Sequence, residues 1–110
     1  MDIKFVGTGG AFDFSKGNAA AIVTMGDMKI LVDCGFSTLP TLIETQTVTD
    51  ITHILITHLH GDHIGGLPTL LAYCTLKLQT PVPPIIMPNE SFQTELTRLL
   101  TLTNEADKAT

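Results

Sequence analysis

The sequence predicts an α/β chain, α+β in its segregation of elements, and three observations point there. Apolar runs of strand length recur, rich in Ile and Val and bounded by Gly, Pro and Asp. Other stretches place Leu and Phe at helical spacing behind a Ser, Thr or Pro that suits a helix start. The third is size: 110 residues, 44 % apolar and 15 % charged, suffice for one core and are too few for two ordinary domains. Residues 1–110 are therefore read as a single domain, with 103–110 a polar, frayed tail. So apolar and charge-poor a chain is not a disordered one.

In order, Ile3-Lys4-Phe5-Val6 reads as a first strand, ended by Gly7-Thr8-Gly9-Gly10. A dinucleotide fingerprint is disfavoured because its third glycine would fall on Phe12, and no Gly-Lys-Ser/Thr marks a phosphate loop. The small residues instead suit a tight loop that passes close to a functional pocket. Residues 11–18 are a loop. Strands over 19–24 and 29–32 flank Gly26-Asp27, a hairpin-type dipeptide. The second of them delivers Asp33-Cys34-Gly35. Ser37 or Thr38 is placed to cap a helix with Pro40 in its first turn, and Leu39, Leu42 and Ile43 form its apolar side.

Thr47-Val48-Thr49-Asp50 is a polar break, and residues 51–57 read as a buried strand. Pro68 suits the first turn of a further helix with Leu70, Leu71, Cys74 and Leu78 on one face. That helix would set its N-terminus, and its affinity for anions, beside His63. A Pro-rich connector over 80–84 leads to a strand at 85–87, stopped by Pro88. Ser91 is the expected cap of a last helix carrying Phe92, Leu96, Leu99 and Leu100.

The formal net charge is −5 and the basic residues are scattered, which argues against non-specific binding to a nucleic acid backbone. No apolar run approaches membrane-spanning length, and the N-terminus lacks a basic region followed by an apolar one. No membrane partner and a cytoplasmic location are expected. Cys34 and Cys74 are isolated from each other in sequence and read as small buried residues.

The chemistry concentrates in Thr57-His58-Leu59-His60-Gly61-Asp62-His63, which follows the apolar Ile54-Leu55-Ile56. One histidine at a strand end is ordinarily a polar surface residue, and Asp before His is a common helix start. Four metal-ligating side chains in six positions, from a chain with only four histidines, outweigh that reading. On a strand, His58 and His60 point the same way. Gly61 then frees the backbone to turn, and Asp62 and His63 come round from the other side. Two neighbouring metal sites follow, His58 and His60 serving one, Asp62 and His63 the other. Zinc suits this nitrogen-rich set, with manganese the second choice. His53 lies too far along the chain to share the metal and reads as structural. Asp33 has two readings: a carboxylate bonded to its own turn, or one that orients a ligand histidine. The latter is preferred.

His58-x-His60-x-Asp62-His63 after an apolar strand resembles the signature of the metallo-β-lactamase superfamily. The run from His58 through Gly65-Gly66-Leu67-Pro68 is similar to its ribonuclease Z-like branch. The opening Gly-Thr-Gly loop and the strand ending in Asp-Cys-Gly match that pattern too. The resemblance implies half of an αββα sandwich, a mixed sheet with helices on one face. It also implies two zinc ions, Asp62 as ligand and as candidate general base, and a water made reactive at neutral pH. Substrate-binding residues are not indicated.

In the superfamily, a further His, a bridging Asp and a last His come from the second half of a longer chain. Here no His follows His63 and the only later Asp is Asp107, so an N-terminal portion is expected. Such a portion would leave a sheet face and edge open, and a homodimer is expected. The implied activity is metal-dependent phosphodiester hydrolysis, on RNA 3′ ends or a cyclic nucleotide. Phe12-Asp13-Phe14-Ser15 replaces the Pro-then-Arg pattern of transfer-RNA processors, which keeps a small nucleotide level with RNA. Two alternatives stand: a lactam, lactone or thioester hydrolase of the same fold, and a non-catalytic metal-binding module.

Overall fold

The computed structural model describes residues 1–10, 12 and 15–103. Strand β1 (Asp2–Gly7) pairs antiparallel with β2 (Ala20–Met25), which returns as β3 (Met28–Val32). Gly26 has φ +58°, the left-handed backbone that a two-residue hairpin demands. Met25 pairs with Met28 across it, so both strands reach closer to the turn than the sequence suggests. β4 (His53–Leu55) then lies parallel to β3, and β5 (Ile85–Ile86) parallel to β4. The result is a mixed five-stranded sheet with its strands in sequence order.

Parallel neighbours need long crossovers, and helices fill them here. α1 (Thr38–Glu44) and a 3₁₀ turn, Val48–Asp50, connect β3 to β4. α2 (Gly61–Ile64) and α3 (Leu67–Ala72) connect β4 to β5, with α3 running on into a π-helical turn, Tyr73–Leu78. α4 (Glu90–Thr103) closes the described chain. The expected strand over 51–57 shrinks to His53–Leu55, the three residues that pair with Ile30–Val32 of β3, two of which also pair with β5. Ile56 still donates its N–H to the Ile86 carbonyl at 3.1 Å.

Strand alternation sorts the side chains into two faces. The row Ile22, Leu31 and Ile54 is buried against Leu39, Leu42, Leu67, Leu70, Leu71 and Leu96. Burial of each such side chain contributes about 1.5–3 kcal/mol. The opposite rows run Ile3–Val23–Ile30–His53 and Phe5–Ala21–Val32–Leu55–Ile86. Ile3 and Phe5 there are 56 % and 68 % exposed. Helices thus cover one face of the sheet.

Two caps differ from expectation. Ser37 holds the N-cap position of α1, but its hydroxyl accepts the Asn18 N–H at 2.7 Å instead of a helix amide. Asn18 Oδ1 returns the bond to the Ser37 N–H at 3.2 Å. The alternative, Thr38, lies inside α1. For α4 the cap is Asn89, whose Oδ1 accepts the Phe92 N–H at 2.9 Å, and Ser91 falls within the helix. Pro68 does occupy the first turn of α3, behind Gly66. Thr103 ends α4; the rest of the expected frayed tail, 104–110, and the loop residues Ala11, Asp13 and Phe14 lie outside the described residues.

Candidate metal centre

The site forms where the parallel strands β3 and β4 release the chain at the same edge. Asp33 follows β3 with φ +66°, a left-handed conformation that Asp tolerates better than most residues. It is only 5 % exposed, and a buried carboxylate is costly unless donors surround it. They do. Oδ1 accepts the Thr57 N–H at 2.8 Å, Oδ2 accepts the Thr57 hydroxyl at 2.7 Å, and His63 Nδ1 stands 2.8 Å from Oδ2.

His60 is the N-cap of the one-turn helix α2 and its carbonyl accepts the N–H groups of His63 and Ile64. That turn brings His63 back over His58, with ring centroids 3.9 Å apart. His58 and His60 meet edge to face at 4.8 Å. Asp62 Oδ2 lies 3.2 Å from His63 Nε2, and Thr57 Oγ1 lies 2.9 Å from His58 Nδ1. The three histidines and the carboxylate of the motif are therefore neighbours in space. His53 is at the start of β4, its Nδ1 bonded to Thr52 Oγ1 at 2.8 Å.

Two expectations about the backbone are corrected. Gly61 does not use a glycine-only conformation; among the described glycines only Gly17 and Gly26 have positive φ. The turn is an ordinary helical one. Nor does His63 flank the N-terminus of the longer helix: it sits in the last turn of α2, ahead of Gly65 and Gly66. Glycine matters instead at the dock between this turn and the loop after β3. Cys34 donates its N–H to the His63 carbonyl at 2.7 Å, and Gly66 donates to the Cys34 carbonyl at 3.0 Å. A Cβ on Gly35 would strike the Asp62 carbonyl, and one on Gly66 would strike the Gly35 carbonyl.

The donor chemistry fits a divalent cation in one specific respect. A carboxylate only accepts, so the proton on His63 belongs on Nδ1, toward Asp33. The Nε2 lone pair of neutral His63 then confronts Asp62 Oδ2 across 3.2 Å. Two acceptors hold that distance only with a positive charge between or upon them, either a proton or a metal. In number the set falls short: among the described residues no group of three or more His, Cys, Asp or Glu side chains forms a ready cage, whereas a catalytic zinc takes about three protein ligands. Neither cysteine fills the gap. Burial, the Asp33 charge and then Cys74 push the Cys34 thiol up to about 12, and burial raises Cys74 as well. The thiolate is the metal-binding form, so at neutral pH both are inert.

Sequence reasoning assigned Thr57 no task, although it contacts both Asp33 and His58. A hydroxyl directly before the first histidine was the available signal. It also passed over Phe36, an exposed ring lying on Gly61 and Gly65. A cavity of about 310 Å³ opens on the uncovered sheet face, lined by Phe5, Gly7, Thr8, Ala21, Val32 and Asp33.

Comparison with known proteins follows from this geometry. The family described as "Anti-Pycsar protein Apyc1" matches residues 1–108. The human protein "Zinc phosphodiesterase ELAC protein 1" is 45 % identical over 82 residues, covering 73 % of this chain and 22 % of its own length. The crystal structure of the short form of human tRNase Z superposes with a TM-score of 0.72 at 38 % identity, covering 94 % of this chain and 39 % of that one. The metallo-β-lactamase fold protein YhfI from Bacillus subtilis, at 22 % identity and TM-score 0.70, shares the fold over 84 % of this chain and 38 % of its own. The chain spans about a quarter of the length of the curated relatives it matches.

Proposed function

The chain belongs to the Anti-Pycsar protein Apyc1 family, within the ribonuclease Z-like branch of the metallo-β-lactamase superfamily, and from that premise we propose that it is the metal-binding part of a phosphodiester hydrolase. The single observation that carries this is the gathering of His58, His60, Asp62 and His63 in one cluster, with His63 Nε2 3.2 Å from Asp62 Oδ2 beside two further imidazoles. His58 and His60 would hold one ion, and Asp62 and His63 its neighbour. Zinc is the preferred metal and manganese the second. When bound, such a pair supplies Lewis acidity and lowers the pKa of water from about 15.7 to about 7.

The rest is the work of the protein's own groups. Asp33 accepts from His63 Nδ1 and so turns Nε2 outward. Asp62, besides ligating, would take a proton from the attacking water as general base. Likeness to proteins named for phosphodiester and tRNA substrates supports RNA 3′ ends or a cyclic nucleotide as the substrate class. The open apolar rows led by Ile3 and Phe5 support self-association as a homodimer. No helix among the described residues is long and apolar enough to cross a membrane.

The shortage of a ready cage favours one other reading, a non-catalytic metal-binding module. Assays with zinc or manganese on bis-p-nitrophenyl phosphate, nitrocefin and a thioester separate the cases. Hydrolysis of the diester is the expected result. Cleavage of nitrocefin or the thioester alone would assign a lactam or thioester hydrolase, and metal bound with no turnover would assign the module.

A further inference from the structure

Thr57 has one hydroxyl proton and three close partner atoms, Asp33 Oδ1 at 3.0 Å, Asp33 Oδ2 and His58 Nδ1, and the distances decide which residue receives it. Its Oγ1 lies 2.7 Å from Asp33 Oδ2, within the range of about 2.5–2.7 Å for a hydroxyl donating to a carboxylate. It lies 2.9 Å from His58 Nδ1, the usual length, about 2.9–3.0 Å, of an N–H donating to oxygen. The opposite assignment sends the proton to His58. It would leave the hydroxyl oxygen and a carboxylate oxygen 2.7 Å apart with no hydrogen between them.

We propose that Thr57 is a positioning residue that relays the Asp33 carboxylate to His58 and fixes His58 as its Nδ1–H tautomer. The Nε2 lone pair of His58 is thereby presented outward. His63 receives the same instruction directly, through Nδ1 at 2.8 Å from Oδ2. One buried carboxylate thus sets two imidazoles whose rings lie 3.9 Å apart, the second through a hydroxyl. The Thr57 N–H, donated to Asp33 Oδ1 at 2.8 Å, holds the relay in register with the carboxylate. Thr57 is itself exposed. Without its hydroxyl, water would contact His58 Nδ1 and impose no preference between donor and acceptor.

The tautomer rests on hydrogen bonds alone; its consequence for metal rests on the metal-centre reading above. Long-range ¹H–¹⁵N spectra of the histidine rings in the metal-free chain, at a pH where they are neutral, test it. His58 and His63 should both show a protonated Nδ1 and an unprotonated Nε2. In Thr57→Val, which keeps the shape and removes the hydroxyl, His58 should become a tautomer mixture while His63 stays unchanged. Thr57→Ser should restore the parent pattern.

Zinc titration of the same samples should show affinity about 10–100-fold weaker in Thr57→Val, the range for lost support of a ligand. Parent His58 found with its proton on Nε2 would overturn the relay, as would Thr57→Val with His58 unaltered. If Thr57→Val does not fold, the parent tautomer and the serine variant still decide. Zinc that perturbs no histidine, with His58 protonated on Nδ1, would sink the metal reading and leave the relay standing.

Discussion

Replacing Asp33 with Ala removes the acceptor on which three donors converge: the Thr57 N–H, the Thr57 hydroxyl and His63 Nδ1. A hydrogen bond to a charged group contributes about 1.5–3 kcal/mol. Thr57 is exposed and His63 partly so, and water takes up part of the loss, which holds the sum to about 3–5 kcal/mol. Ala also lacks the local hydrogen bonding that makes φ +66° tolerable for Asp, which adds about 1 kcal/mol. A typical domain has about 5–15 kcal/mol in total, so the variant should be near its unfolding limit.

Asp33→Asn keeps the shape and the backbone tolerance and loses one acceptor, at about 1–2 kcal/mol. Its amide must then meet either Thr57 or His63. His63 can satisfy it only by moving its proton to Nε2, so zinc binding should suffer more than stability does. Urea unfolding of the metal-free chain followed by circular dichroism, with zinc titration of both variants, reads the two effects apart. Asp33→Ala within about 1 kcal/mol of the parent would refute the network as a source of stability, because a single retained bond to a charge is worth more than that.

Other perturbations follow the same logic. Leu31 is fully buried in a central strand, so Leu31→Ala should cost about 2–5 kcal/mol in urea unfolding, and a smaller loss would show a loosely packed core. Gly66→Ala drives a Cβ into the Gly35 carbonyl and should cost about 1–3 kcal/mol, read as a lowered Tm; an unchanged Tm would show that the dock between loop and turn is not close. The Cys34 thiol, raised from 9.0 to about 12, stays protonated in the folded chain while the unfolded chain ionises. Its contribution is intact below pH 9 and falls away between pH 9 and 12, by up to about 4 kcal/mol at about 1.4 kcal/mol per pH unit. Cys34→Ala should flatten the alkaline limb of the stability curve, and an identical slope in both proteins would contradict the shift. His60→Ala should abolish diester hydrolysis and greatly lower bound zinc, because a two-ligand site becomes a one-ligand site, whereas His53→Ala should leave metal stoichiometry unchanged.

The parts of this fold that local chemistry dictates were legible in the sequence. Gly26-Asp27 between two β-branched runs marks the hairpin, and Pro68 marks the start of α3, because each restricts its own backbone. Ser37 takes the N-cap position, but its hydroxyl accepts the N–H of Asn18, nineteen positions away, so a distant donor replaces the helix amide. Ser91 was misread because Asn89, two positions earlier, makes the bond to Phe92. β4 is shorter than its apolar run because its length is set by its partners, three residues of β3 and two of β5. At the site, the spacing of His58, His60, Asp62 and His63 announced a cluster, and Asp33 was visible as a carboxylate leaving a strand. What spacing does not carry is proton direction. That requires the distances from Thr57 and Asp33 to the two imidazoles.

The central claim is that these side chains await a divalent cation, and zinc titration of the metal-free chain followed through its histidine ring nitrogens tests it most directly. Saturable binding that moves the Nε2 signals of His58, His60 and His63, is lost in Asp62→Ala combined with His60→Ala, and leaves His53 unmoved is the predicted result. Spectra unchanged by excess zinc and by manganese, in a chain that remains folded, would contradict it.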